Sequence, residues 1–519
     1  MRHGPAVVQS PVGSAAARGG VGNSGRLRAA EQARRAGRVA EAERLCKEVL
    51  RVEPRNISAL KLMGAMASAA RLHNTALRYL AAARDAGHDD PEVLSMLGGV
   101  LFELGRPEAA AAALRESLRV DGSREQTLED YAVVLNGLGR AAEAAEVFAA
   151  LLGGNPSQPR VWQRYSQVRH FPRGAPEVDR IRRLLGQRGL GARERAQLQF
   201  ALGKMLEDAG DPESAFRAFE AGNRLRAGVD RSRGVPARQQ LHAHARRMTD
   251  VFTPDFIDAL SGHCARRRGL TLIVGTPRSG KSLLEGPLEA HRSLVSYGEL
   301  DTVHETLARS VKGLYRGYPE SLRMLDAGAF EHLAERLDAN WGDPVCHDVA
   351  SYLLTHPGYL LHAGTIMLLN PATRLVLCER DPVDSALAIY LKWFEKKQPL
   401  AWDIDAIAHW VTVSRRIAAH WAEVFPDRVS LVRYEQMVAD PDATVTSVLA
   451  AHGLAWDPAC GNEHGLDAGP GIVGLAGSSS VRSRVNSGFG RIGEYYAAQR
   501  PRFEHALERA ARVCYESTG

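Results

Sequence analysis

The stretch from residue 270 to residue 288, LTLIVGTPRSGKSLLEGPL, decides the fold of the C-terminal half of the chain. Its first five residues form a short apolar run typical of a buried parallel strand, and its last residues have the spacing of a helix. Gly275 and Gly280 lie between them in a loop that satisfies G-x-x-x-x-G-K-[ST], the signature of a mononucleotide-binding loop. Glycines permit the tight turn in which backbone amides and a helix N-terminus surround an anion. The sequence therefore predicts a phosphate site after this strand.

A second strand is predicted at 374–378, where an apolar run leads into the polar segment ERDPVDS at 379–385. Arg380 in this segment can offer a planar fork of two hydrogen-bond donors to a phosphate.

The loop and its neighbours resemble those of sulfotransferases. The run PRSG at 277–280, followed by LLE at 283–285, resembles the P-R-S-G-T-T-L loop that holds a 5′-phosphosulfate in that family. The segment at 379–385 resembles the R-R-D-P-x-D segment that holds the 3′-phosphate. Further landmarks follow in the family's order: FTPDF at 252–256, EAH at 289–291, GEL at 298–300, RYE at 433–435, DP at 440–441 and GR at 490–491.

The resemblance implies transfer of a sulfonate from 3′-phosphoadenosine 5′-phosphosulfate to a hydroxyl acceptor, without a bound metal. Arg278 is the predicted catalytic cation on the leaving side, where charge grows in the transition state. Glu299 is the predicted base for the acceptor proton. Its back-up candidates are His304, His347 and Asp348. The predicted nucleotide-binding residues are Arg278, Ser279, Gly280, Lys281, Ser282, Arg380, Ser385 and Arg491.

The chain departs from the family pattern at two positions. The serine that partners the 3′-phosphate arginine usually lies eight residues after it, where this chain has Ala388, so Ser385 is predicted as its substitute. The usual D-K-x-P segment is absent, because residues 347–351 read HDVAS. Lys281, which replaces a common threonine in the loop, is predicted to supply the missing positive charge.

The N-terminal half carries a repeat with a period of 34 residues. Ala42, Ala76, Ala110 and Ala144 have this spacing, and a bulky apolar residue follows each of them by four positions. A small residue stands twelve positions before the last three, at Gly64, Gly98 and Ala132. A further copy appears at Gly203, Ala215 and Phe219. Small residues let antiparallel helices approach closely, and this pattern resembles the tetratricopeptide repeat (TPR) over residues 25–228.

Composition sets the broader limits. The chain has 519 residues, a formal net charge of +6 and 45% hydrophobic residues, which predicts a soluble protein of two or three domains with anionic partners. We expect no membrane span and no nucleic-acid partner. The six cysteines lie far apart without a C-x-x-C pair, which favours reduced thiols and a cytoplasmic location. The arginine-bearing segment 1–24 lacks the residues of a core and is predicted as a disordered leader.

The predicted architecture is α + α/β. A leader at 1–24 precedes a TPR α-solenoid at 25–228, a helical linker at 229–268 and a P-loop-like α/β sulfotransferase domain with a central parallel sheet at 269–515. The solenoid groove favours a peptide or protein acceptor, such as a protein tyrosine, and leaves a carbohydrate open. Two alternatives remain: a P-loop NTPase or kinase that uses Lys281 and Ser282, and a catalytically impaired binding module with a sulfotransferase fold.

Overall fold

The protein is described from a computed structural model that covers residues 17–70, 72–87, 90–265, 267–298, 317–340, 349–394, 398–461 and 492–516. The chain divides into two compact units, one up to Val134 and the other from Leu135 onward.

The first unit consists of antiparallel helix pairs. Its helices are α1 (Ala17–Arg35), α2 (Val39–Val52), α3 (Ile57–Ala69), α4 (His73–Ala86), α5 (Pro91–Glu103) and α6 (Pro107–Val120), and α7 (Glu125–Gly137) runs across the boundary between the units. Helix α1 begins at Ala17, inside the segment 1–24 that was predicted as a leader. Residues 1–16 lie outside the described residues.

Close contacts between paired helices confirm the predicted repeat. A Cβ atom on Gly64 of α3 would lie 2.7 Å from Cγ of Leu80 in α4. The same atom on Gly98 of α5 would lie 2.5 Å from Cγ of Leu114 in α6. Both leucines are fully buried. The two helices of a pair can therefore cross closely only where the sequence places a small residue opposite a large one.

The second unit begins with helices of the same kind. They are α8 (Ala141–Gly154), α9 (Pro159–Val168), α10 (Pro176–Leu185), α11 (Ala192–Asp208), α12 (Pro212–Val251) and α13 (Pro254–Leu260). Gly203 of α11 repeats the close contact, because a Cβ atom there would lie 2.9 Å from the ring of Phe219 in α12. Helix α12 continues well into the segment 229–268 that was predicted as a linker. Met248 and Val251 of this part are buried in a hydrophobic core, so it is a structural part of the second unit.

A sheet of five parallel strands forms the centre of the second unit. The strands are β1 (Leu270–Val274), β2 (Leu294–Ser296), β3 (Ser351–Leu354), β4 (Thr373–Glu379) and β5 (Val429–Arg433), in the spatial order β2-β3-β1-β4-β5. The central strand β1 pairs with β3 through Leu272 and Leu354, and with β4 through Val274 and Leu377. Every residue of β1 is buried, as expected for the middle strand of a parallel sheet. The predicted parallel sheet is thus confirmed.

Helices cover both faces of this sheet. They are α14 (Lys281–Glu289), α15 (Ala327–Asn340), α16 (Tyr359–Leu369), α17 (Pro382–Tyr390), α18 (Ile404–Val424), α19 (Tyr434–Ala439), α20 (Pro441–Ala451), α21 (Ile492–Tyr495) and α22 (Arg500–Glu516). Side chains alternate along β1, so Leu272 points to a first face, which α16, α18 and the end of α12 cover. Ile273 points to a second face, which α14, α19 and α20 cover.

The last repeat helices pack directly against the sheet region within the second unit. The guanidinium of Arg226 in α12 lies 4.0 Å from the ring centre of Trp393 and 3.5 Å from that of Trp402. Tyr496 donates a hydrogen bond of 2.9 Å to Glu207 of α11, and Asn223 donates one of 2.8 Å to the carbonyl oxygen of Tyr390. Buried aromatic and charged contacts of this kind hold the end of the repeat array in a fixed position against the sheet region.

Three further observations bear on the sequence-based expectations. No helix in the described parts of the chain is long and apolar enough to cross a membrane. Among these residues there is also no cluster of three or more histidine, cysteine or acidic side chains that could hold a metal ion. The cysteines that the structure covers are buried and form no disulfide with one another: Cys46, Cys264, Cys378, Cys460 and Cys514.

Candidate active site

The candidate site lies where β1 and β4 end side by side. After β1 the chain crosses the second face through α14 toward β2, whereas after β4 it crosses the first face through α18 toward β5. Neighbouring strands whose connections leave in opposite directions open a crevice at their carboxyl ends, and α/β proteins bind ligands there. The two phosphate-binding segments predicted from the sequence follow these two strands, so the sheet topology brings them together.

The loop after β1 is a tight turn that depends on its glycines. A Cβ atom on Gly275 would lie 2.3 Å from the carbonyl oxygen of Cys378 in β4, so no other residue fits without moving the strands. Gly280 has a left-handed φ of 97° and caps α14. Arg278 also has a left-handed φ, of 70°, although it carries a side chain. Backbone strain at a residue other than glycine is often found at functional sites, and here it falls on the predicted catalytic cation.

The remaining loop residues occupy different environments. Lys281 is 7% exposed, and its Nζ donates hydrogen bonds of 2.9 Å to the carbonyl oxygen of Thr276 and 3.4 Å to that of Gly275. Ser279 is fully buried. Ser282 is exposed in the first turn of α14, where free amides and the helix dipole favour an anion. Lys281 thus folds back onto its own loop.

Arg380 lies at the end of β4 and is linked to the loop after β1. Its Nη1 donates a hydrogen bond of 3.3 Å to the carbonyl oxygen of Arg278. Its guanidinium lies 4.2 Å from the ring centre of Tyr434, and the same ring would lie 2.7 Å from a Cβ atom on Gly280. Glu435 accepts a hydrogen bond of 2.9 Å from the backbone amide of Asp381. Tyr434 and Glu435, quoted above only as landmarks, therefore hold the two phosphate-binding segments in place.

Helix α17 supplies the next groups. Ser385 is 1% exposed and lines the same pocket as Gly275 and Arg380. Asp384 beside it is buried, and it accepts a hydrogen bond of 2.8 Å from the amide of Gly493. Burial raises the pKa of Asp384, although the Gly493 amide and Arg380 oppose this effect. This bond fixes the chain close to α17 just after Arg491.

The pocket also has a wall that the sequence interpretation missed. Ser414 and Arg415 of α18 line it, together with Glu379 at the end of β4. Ser414 lies on the buried face of α18 between Val411 and Ala418. A polar residue inside an apolar helical stripe is a signal that could have identified Ser414. Arg415 is exposed, and nothing in the local sequence distinguishes it from other surface arginines.

Two polar atoms at the site fit an anionic ligand. The hydroxyl of Ser279 and Nε of Arg380 are buried, and neither has a hydrogen-bond partner in the part of the chain that the structure covers. A buried donor without an acceptor is costly, and native proteins rarely retain one without a reason. Phosphate oxygens are strong acceptors, so the donors present here fit a nucleotide with phosphate groups near both segments.

Several predicted residues cannot be placed. Glu299, Arg491 and the back-up bases His304, His347 and Asp348 lie outside the described residues. Gly298, which precedes Glu299, is described: its amide donates a hydrogen bond of 2.9 Å to Ser296, and its carbonyl oxygen accepts one of 3.0 Å from Thr355. These bonds attach the chain to the carboxyl ends of β2 and β3 immediately before Glu299.

Burial also raises the pKa of two ionisable groups near the loop, Cys378 and Glu289. It raises the pKa of the Cys378 thiol to about 12, so this thiol beneath the loop is neutral and not a nucleophile. Burial, with a smaller effect from the neighbouring Glu285, raises the pKa of Glu289 at the end of α14 to about 8. Glu289 therefore binds a proton at neutral pH in the folded protein.

The raised pKa of Glu289 predicts a pH-dependent stability. Because the folded pKa of about 8 lies above the unfolded value of 4.5, the favourable contribution is complete below pH 4.5 and is lost as the pH rises through 8. We expect the wild type to lose about 3 kcal/mol more than Glu289→Gln between pH 6 and pH 9. Urea unfolding of both proteins at the two pH values measures this difference. Equal losses would contradict the assigned pKa.

Comparison with known proteins supports the interpretation of the sequence. Residues 271–458 match the model described as "Sulfotransferase family". An uncharacterized protein of Aquifex aeolicus (strain VF5) is 25% identical over 385 residues, which cover 71% of this chain and 49% of that protein. Protein-tyrosine sulfotransferase 2 of Gallus gallus is 23% identical over 220 residues, covering 40% of this chain and 57% of that protein. The chain thus spans about half the length of these two relatives.

Solved structures align with about two fifths of this chain. The MamA protein is 17% identical, covers 40% of this chain and 92% of its own, and gives a TM-score of 0.27. The pilF protein of Pseudomonas aeruginosa is 20% identical, covers 41% and 95%, and gives a TM-score of 0.34. The repeat fold itself is established by the helix pairs described above. The chain thus combines a TPR-like helical region with a region, residues 271–458, that is similar to the sulfotransferase family.

Proposed function

We propose that this protein transfers a sulfonate group from 3′-phosphoadenosine 5′-phosphosulfate to a hydroxyl acceptor and releases adenosine 3′,5′-bisphosphate. One observation carries the proposal. The glycine loop after β1 and the Arg380 segment after β4 meet at the switch point of the sheet. Arg380 donates a hydrogen bond to a backbone carbonyl oxygen of that loop. This arrangement suits one ligand with separate 5′ and 3′ phosphate groups.

Each segment has a defined part in holding this nucleotide. The amides of Gly280, Lys281 and Ser282 at the start of α14 receive the 5′-phosphate, with Arg278 and Ser279 in the same loop. Arg380 and Ser385 receive the 3′-phosphate, with Arg491 as a further ligand. The unmet donors on Ser279 and Arg380 support this assignment, because phosphate oxygens would satisfy them.

The chemistry then needs a base and a stabilised leaving group. The acceptor oxygen forms a bond to sulfur while the bond from sulfur to the bridging oxygen breaks, and the leaving phosphate keeps that electron pair. Arg278 and the loop amides stabilise the negative charge that grows on the leaving oxygen. Glu299 takes the proton of the acceptor hydroxyl. His304, His347 and Asp348 are the other candidates for this base.

The acceptor is proposed from the rest of the chain. Helical repeats usually bind peptides or proteins along their concave surface, so we infer a polypeptide acceptor held in part by the repeat region. The similarity to a protein-tyrosine sulfotransferase favours a tyrosine hydroxyl over a carbohydrate hydroxyl. The spacing of the cysteines favours a reducing compartment, and we propose the cytoplasm.

Titration calorimetry tests the proposed donor. We expect adenosine 3′,5′-bisphosphate to bind at least about tenfold more tightly than ATP with Mg²⁺, because only the bisphosphate has a group for Arg380 and Ser385. Arg512→Gln is a suitable control for arginine substitutions in the pocket, since Arg512 is an exposed residue of α22 outside the pocket. Tight binding of ATP with Mg²⁺ alone would contradict the sulfotransferase proposal.

A P-loop NTPase is the second candidate function. Lys281 and Ser282 match the NTPase signature, and Glu379 ends the strand next to β1 and lines the pocket, where an acid could approach a nucleotide-bound cation. ATP binding in the experiment above would favour this function. If the bisphosphate binds but no labelled sulfonate reaches any acceptor in a broad panel, the third reading, a binding module with a sulfotransferase fold, is favoured.

A further inference from the structure

Arg415 on α18 lines the pocket, and the role that we infer for it rests on the proposed function. Three charged side chains line the pocket at the switch point in the described part of the chain: Glu379, Arg380 and Arg415. Their formal charges add to +1, and without Arg415 they would add to zero. A nucleotide with two phosphate groups carries several negative charges. Arg415 therefore decides whether the side chains that line the pocket have a net positive charge, which attracts the nucleotide, or no net charge.

The other cations near the pocket already have partners. Lys281 donates hydrogen bonds to two carbonyl oxygens of its own loop. Arg380 donates to the carbonyl oxygen of Arg278 and lies 3.9 Å from the carboxylate of the buried Asp384. Arg416, next in sequence, donates a hydrogen bond of 2.8 Å to the carbonyl oxygen of Cys514. Each of these side chains is held in position by the protein itself.

Arg415 differs from them. It is exposed at the pocket wall and has no hydrogen bond or ion pair with any residue that the structure describes. Its position in the middle of a helix of 21 residues gives its backbone a fixed place. A long arginine side chain on a rigid helix, next to a pocket and without a protein partner, can turn its planar fork toward a bound phosphate at little cost.

The position of α18 indicates which phosphate this is. Helix α14, whose N-terminus is the predicted place for the 5′-phosphate, lies on the second face of the sheet, whereas α18 lies on the first face. Arg415 lines the pocket together with Arg380 and Ser385. These are the residues assigned to the 3′-phosphate.

We propose that Arg415 is a further ligand of the 3′-phosphate of the nucleotide and that Ser414 beside it lines the same subsite. This subsite lacks the serine that the family usually has, because the chain carries Ala388 at that position. Arg415 and Ser414 of α18 therefore add a positive charge and a hydroxyl group to a subsite that lacks the usual serine hydroxyl at position 388.

Binding of two nucleotides to Arg415→Gln tests this proposal. We expect the variant to bind adenosine 3′,5′-bisphosphate about tenfold more weakly than the wild type, because one charge-assisted contact is lost. Its affinity for adenosine 5′-phosphate, which has no 3′-phosphate, should change less than twofold. Arg415→Lys, which keeps the charge and loses the fork, should fall between wild type and Arg415→Gln. Arg512→Gln, the control, should bind both nucleotides as the wild type does.

The possible outcomes separate this inference from the proposed function. If the wild type binds no bisphosphate, both the proposed function and the role of Arg415 are wrong. If the wild type binds the bisphosphate and Arg415→Gln binds it equally well, only the role of Arg415 is wrong. An equal loss of affinity for both nucleotides would also overturn the assignment to the 3′-phosphate. Because Arg415 is exposed and has no described partner, its substitution should leave the unfolding midpoint unchanged.

Discussion

We expect Glu299→Gln to lower kcat for sulfonate transfer by about 10³-fold and to leave the affinity for adenosine 3′,5′-bisphosphate within about twofold of the wild type. The amide of glutamine cannot accept the proton of the acceptor hydroxyl, so the nucleophile would have to attack while still protonated. In the proposed complex the nucleotide contacts the loop after β1 and the Arg380 segment and not this base, which is why binding and turnover should separate. Single-turnover transfer of a labelled sulfonate measures the first quantity, and calorimetry measures the second.

Two hydrogen bonds hold Gly298, the residue before Glu299 in the chain. They fix the chain at the carboxyl ends of β2 and β3, the edge of the sheet at which the loop after β1 also lies. Glu508→Gln is the matched control, because Glu508 is exposed on α22 and undergoes the same chemical change. Full turnover by Glu299→Gln would exclude Glu299 as the base, and Asp348→Asn and His304→Gln would be the next variants to measure.

We expect Gly275→Ala to weaken the sheet where β1 and β4 meet by about 3 kcal/mol and to abolish nucleotide binding. The added methyl group would lie 2.3 Å from the carbonyl oxygen of Cys378 and 2.5 Å from the hydroxyl of Ser279. The first of these atoms belongs to the backbone of β4 and cannot rotate away. The strand or the loop must therefore move, and either movement displaces the amides that are proposed to bind the 5′-phosphate.

Hydrogen exchange localises this effect. Peptides that cover β1 and β4 should exchange about 100-fold faster in Gly275→Ala, because each 1.4 kcal/mol changes an opening equilibrium tenfold. Gly210→Ala is the control: Gly210 has a left-handed φ of 74°, and a Cβ atom there would contact nothing within 4 Å. It should cost only about 1 kcal/mol. Equal protection of β1 in Gly275→Ala and the wild type would contradict the close approach of the strands.

The sequence predicted the parts of this protein that depend on local patterns. The strand, loop and helix at 270–288 and the repeat of 34 residues are confirmed, because each follows from the spacing of small, apolar and glycine residues. Gly98 and Leu114, for example, lie on two neighbouring helices. They face each other because the fixed pitch of a helix lets the repeat place each of them on the side that faces its partner helix. The roles predicted for Arg278 and Ser385 in nucleotide binding remain predictions that the experiments above address.

The tertiary structure decided what depends on contacts between distant segments. No local pattern indicates that Met248 and Val251, in the predicted linker, belong to the core beneath the sheet, or that Arg226 lies between two tryptophan rings. The same holds for Arg415, which resembles any surface arginine until α18 places it beside Arg380. The sequence by itself thus determined the two kinds of fold, since these depend on periodicity and on the conformational freedom of glycine. Only the packing of the sheet decided which side chains share the pocket, because that depends on the order of the strands and on the face that each helix covers.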